Sequence, residues 1–115
     1  MKRSSAKQKG RDGQKEVVDL IKQYMGFTDD EVRSNPASVT GEDIILSQAA
    51  RTKMPFSFEI KRVEKLNVDE GYAQAVSNRN GYIPALVHRK NGKAWLITFD
   101  FQTFLKIIAL VQGKL

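Results

Sequence analysis

The hydrophobic positions of this 115-residue chain fall into two periods. Spacing of three and four residues predicts a helix over about 13–25, with Val17, Val18, Ile21, Tyr24 and Met25 on one face and Gly26 as its stop. A short strand around Asp30–Arg33 is followed by turn chemistry, "SNPASVTGE", and then by the apolar strand "DIILS". "QAARTKMP" is expected to be a connection, as in a long hairpin loop. In "FSFEIKR" the period changes to two: Phe56, Phe58 and Ile60 alternate with Ser57, Glu59 and Lys61, the pattern of a strand with one apolar face. "NVDEGYAQAVSNRNG" returns to the helical period, with Asn67 and Glu70 as a capping pair and Val68, Tyr72, Ala75 and Val76 as its stripe. "YIPALVH" and "AWLITF" are strands joined through Asn91-Gly92, a strong hairpin turn. Asp100 caps a last helix over about 101–111, whose apolar residues go nearly all the way round. Such a helix is either covered on both sides within the monomer or is part of a subunit interface. Helices alternating with strands imply an α/β domain on a small mixed sheet.

Composition narrows the chemistry. The chain is 41% hydrophobic and 28% charged, the balance of a globular domain. It has no cysteine, which excludes disulfides, thiolate zinc sites and cysteine nucleophiles. A single histidine, His88, gives little support to a histidine metal site or a serine triad. No apolar run approaches the roughly 18 residues of a membrane span, and the N-terminus lacks the apolar core of a signal peptide, so no membrane and a cytoplasmic setting are the expectation. The net charge is +6, and residues 1–15 supply five of those charges through Lys2, Arg3, Lys7, Lys9, Arg11 and Lys15 against Asp12. A basic, flexible arm over 1–12 on a single domain over 13–115 suits binding to a phosphate backbone; a solubilising tail is the plain alternative.

The acidic residues suggest what a bound phosphate would meet. Asp43 opens "DIIL", and Glu59 follows sixteen residues later with Lys61 two beyond it. On neighbouring strands, Asp43 and Glu59 would converge on one side of the sheet, and two carboxylates suit Mg²⁺ completed by water and phosphate. Lys61 shares the parity of Glu59 and would orient or activate a water there, or neutralise charge on the phosphate. Ile60 points into the core, leaving its backbone carbonyl free for the metal. The competing reading is a salt bridge on a solvated face.

In order along the chain, "KGRDGQKEVVDLI", "VRSNPAS", "GEDIIL", "FEIKR", "YAQAV" and "IPALVHRKNGKAWLITF" resemble the successive motifs of the PD-(D/E)XK nuclease superfamily. Within it the chain resembles the small Holliday-junction resolvases of archaea and their phage-encoded relatives. The resemblance implies a restriction-endonuclease-like mixed sheet flanked by helices and a Mg²⁺-dependent endonuclease, with Mn²⁺ able to substitute. It also implies a homodimer acting on four-way or other branched DNA, in the host cytoplasm if phage-encoded. Asp43, Glu59 and the Ile60 carbonyl would hold the metal, Lys61 would assist catalysis, and Ser38 and Gln74 match family positions near DNA. Arg33 and Arg62 are further phosphate contacts. Two positions depart from the family pattern. Glu42 replaces the proline before Asp43. Gln14 stands where relatives carry a metal-associated Glu on the first helix, with Glu16 as the alternative, about 200° further round. A related flap, nicking or repair nuclease, and a non-catalytic DNA-binding module of the same fold, are the alternatives.

Overall fold

The computed structural model describes residues 6–36 and 41–113, and within them the chain alternates helix and strand. The elements are α1 (Ala6–Met25), β1 (Val32–Ser34), β2 (Ile44–Leu46), α2 (Gln48–Lys53), β3 (Phe56–Arg62), α3 (Val68–Ser77), β4 (Ile83–Arg89), β5 (Leu96–Thr98) and α4 (Phe101–Leu110). The capping residues act as their chemistry dictates. The Asn67 side chain accepts the Glu70 N–H at 3.1 Å, and Asp100 accepts that of Thr103 at 2.9 Å.

Two elements differ from the sequence reading. α1 starts at Ala6, so Lys7, Lys9 and Arg11 stand on a helix and not on an extended arm. Straight-chain Lys, Gln and Arg are good helix formers, and a basic stretch lacking an apolar stripe hides that propensity. "QAARTK" is α2, a short helix and not a hairpin loop; the Ser47 hydroxyl accepts the Ala50 N–H at 3.1 Å and starts it.

β1 and β2 pair antiparallel. β3, β4 and β5 form a mixed sheet, β3 parallel to β4 and β4 antiparallel to β5, with α3 as the crossover. The two sheets meet where the Asp43 N–H donates to the Phe58 carbonyl at 3.0 Å. α1 lies on the β3 face that carries Phe58 and Ile60, together with Val17, Val18, Phe27, Val32 and Val87 in one core. Gly13 is buried in that contact; a Cβ there would lie 3.3 Å from the Arg62 Cβ. α3 covers the other face. Gly71 allows the close approach, since a Cβ would stand 3.0 Å from Leu86. The α/β architecture, a mixed sheet flanked by helices, is therefore as the periodicity implied. None of the described helices is long and apolar enough to cross a membrane.

Candidate active site at the junction of the two sheets

The junction between β2 and β3 gathers Asp43, Glu59 and Lys61. Besides its backbone bond to Phe58, Asp43 accepts the Ile60 N–H on its carboxylate at 2.7 Å. A strand residue presents its N–H and C=O to the same side, so the Ile60 carbonyl also faces Asp43. Strand alternation turns Glu59 and Lys61 to the α3 face, and the Lys61 ammonium stands 3.5 Å from the Glu59 carboxylate. Glu59 is 4% exposed, which excludes a salt bridge on a solvated face.

Burying two carboxylates together shifts both. Burial, more than any other cause, pushes Glu59 up to about 7, and the Asp43 charge adds to it; Lys61 and the Asn78 side chain pull the other way. Asp43 is also raised by burial, against the lowering effect of the Ile60 N–H, Glu59 and Lys61. The Glu59 Oε1 atom is buried with no hydrogen-bond partner. An orphaned carboxylate oxygen beside a second carboxylate is a site prepared for a cation or a proton. The donors are all hard oxygens: two carboxylates and the Ile60 carbonyl. They fit a small divalent ion that keeps water and substrate oxygens in its shell. No third Asp, Glu, His or Cys completes a metal-holding group among the described residues.

Both first-helix candidates lie on α1, which packs on the Phe58–Ile60 face of β3. Gln14 is half-buried, next to the Gly13 contact with β3. Glu16 is tied up on the α1 face: the Arg89 guanidinium donates to it at 2.7 Å, and that of Arg62 stands 4.0 Å away. Glu59 and Lys61 point to the opposite face, so Glu16 does not join them. Arg62, read as a phosphate contact, is turned to Glu16. Arg33 and Gln74 are exposed, on β1 and α3, and Arg11 and Lys15 are exposed on α1, with Lys9 half-buried. Lys2, Arg3, Ser38 and the Lys7 side chain lie outside the described residues. Trp95 packs against the core, and His88 Nε2 lies 3.2 Å from the Thr98 hydroxyl, away from the carboxylates in the sheet register.

Sequence reasoning missed the residues that aim Asp43. Glu42, in the proline position, is buried and paired with Arg51 from α2. Arg51 also donates to the Phe56 carbonyl at 3.3 Å and stacks 4.1 Å over the Tyr82 ring. Asn35 holds the same turn: its side chain donates to the Glu42 carbonyl at 2.7 Å and its N–H to the Asp43 carbonyl at 2.9 Å. Asn78 caps α3, and its carbonyl accepts the Ser57 hydroxyl at 3.3 Å, which puts it beside Glu59. Ser47 before two alanines was the available signal for α2, and with it for Arg51.

No protein-family model matches the chain, and neither curated proteins nor solved structures give a match.

Proposed function

We propose that the chain is a metal-dependent DNA endonuclease with a restriction-endonuclease-like fold. Its substrate is branched DNA, four-way junctions first, cut by a cytoplasmic homodimer with Mg²⁺ or, in its place, Mn²⁺. The observation that carries this reading is the buried Glu59 with its orphaned Oε1, beside the half-buried Asp43 and with Lys61 at 3.5 Å. Asp43, Glu59 and the Ile60 carbonyl would hold the ion. When bound, such an ion polarises a phosphoryl oxygen and lowers the pKa of a water. Lys61 neutralises charge developing on the phosphate and orients the attacking water. Water oxygen bonds to phosphorus, the P–O3′ bond breaks, and the leaving oxygen takes up a proton. Lys9, Arg11 and Lys15 along α1 grip the backbone, with Arg33 on β1 as a further contact.

A non-catalytic DNA-binding module is favoured by one observation: with Gln14 neutral and Glu16 held by Arg89 and Arg62, the site has only two carboxylates. The deciding assay offers a four-way junction, a flap, a duplex and a single strand, with Mg²⁺ or EDTA, to the native chain, Glu59→Ala and Lys61→Ala. The expected result is paired, Mg²⁺-dependent cuts in the junction, lost in both variants. Junction binding without cutting would sink the enzyme. A preference for flaps or plain duplex would sink the resolvase but keep the nuclease.

A further inference from the structure

α4 has no buried residue. It joins the body where Phe104 leans on Phe99, at 6.5 Å between ring centroids, and Phe99 in turn meets Phe56. Phe101 is 70% exposed and Leu110 79%. A ten-residue helix in water without tertiary packing is marginal at best, since isolated helices need more than about 12–15 residues. Beyond Phe99 the same apolar surface continues over Ile97 of β5. It then runs into an apolar groove of about 650 Å³ between β5 and α1, where Tyr24 is 79% exposed.

We infer that this surface is the contact between two copies of the chain, with α4 of each copy seated in the β5–α1 groove of the other. Three observations select a second copy. The projecting helix and the open groove are both apolar and both on one chain, so a two-fold contact covers both at once. Tyr24, Ile97, Phe101, Leu105 and Leu110 alone expose roughly 600 Å² per protomer, most of the ~800 Å² that a standard interface takes from each partner. Lys106 is the single charge between Phe101 and Val111, so two copies of net charge +6 meet here without opposing like charges. A charged partner or an anionic lipid surface finds nothing complementary. β5 lies at the sheet edge away from the Asp43–Glu59 junction, so the contact leaves both sites open. This gives the proposed homodimer its surface, but it stands on the exposed apolar face whether or not the chain cuts DNA.

The test is sedimentation of the full chain over a micromolar dilution series, beside Leu110→Glu and Ile97→Glu. The native chain is expected to be dimeric, and each variant to weaken the dimer by at least about 100-fold, with native circular dichroism and unchanged stabilisation by Mg²⁺. A native chain that stays monomeric, or a dimer indifferent to both substitutions, overturns the inference. Should the variants not fold, hydrogen exchange of the native chain decides. Protection of α4 and β5 that rises with concentration supports the dimer; protection that does not change, or that appears only with phosphatidylcholine vesicles, overturns it.

Discussion

The two ends of the sheet solve opposite problems. At the β2–β3 junction, polar groups are drawn into the fold and tied to one another: Asp43 has the Ile60 N–H, Glu42 has Arg51, and Asn35 holds both carbonyls of the Glu42–Asp43 pair. At the β5–α4 end, apolar groups stand in water and no residue of the helix is buried. The first region leaves single buried atoms without a partner: Glu59 Oε1, and beside it Glu42 Oε2 and Asn35 Oδ1. The second is incomplete over a whole surface. An unpartnered buried oxygen is a local cost that one small group can relieve; an exposed apolar face is a distributed one.

That contrast breaks most severely at Arg51. Arg51→Ala leaves Glu42 charged, buried and alone, and should destabilise the chain by about 3–5 kcal/mol in urea unfolding. A loss below about 1 kcal/mol would mean that the junction is not held as described.

The response of Arg51 also marks what was legible in the sequence. Strands and helices with a clear period, such as Phe56–Phe58–Ile60, could be read because burial imposes the period directly. The shared face of Glu59 and Lys61 could be read because parity is a local property of a strand; that Asp43 meets them depends on the junction of two separate sheets. Arg51 could not be read, because its partner lies across a turn and its helix has one and a half turns and no stripe. The engagement of Glu16 was beyond the sequence too, because its partners Arg62 and Arg89 lie far along the chain.

The next largest effect is on chemistry. On the proposed reading, Lys61→Ala should lower junction cutting by about 10²–10³-fold at saturating Mg²⁺ with little change in melting temperature, since Lys61 is half-exposed and its proposed role is toward the phosphate. Equal activity would remove Lys61 from the site and leave Glu59 as a merely buried acid.

A smaller effect concerns pH. Glu59 titrates near 7 in the folded chain, above its ordinary 4.5. The folded state therefore holds its proton more tightly, and the stabilisation is full below 4.5 and disappears as pH rises through about 7. Without metal, unfolding free energy should fall by roughly 1–3 kcal/mol over that window, and Glu59→Gln should flatten the fall. Mg²⁺ competes with that proton, so its stabilising effect should grow with pH. A stability that rises over the window would contradict the burial of Glu59.

The smallest effect belongs to the other end. Leu110→Ser, measured at concentrations where the chain is monomeric, should change stability by no more than about 0.5 kcal/mol, because the side chain touches little in the monomer. A loss of several kcal/mol there would place α4 in the core of a single chain and erase the comparison.

Gly71 has a reach beyond its own neighbourhood. With no side chain, it lets α3 ride directly on Leu86, and two turns later the same helix delivers Asn78 to Glu59. The helix works as a rigid shim whose thickness is set by a missing methyl group. A single added carbon at residue 71 would press on Leu86 at 3.0 Å and lift the helix off the sheet. The spacing between α3 and Glu59 is thus gauged twelve residues away from the acid itself.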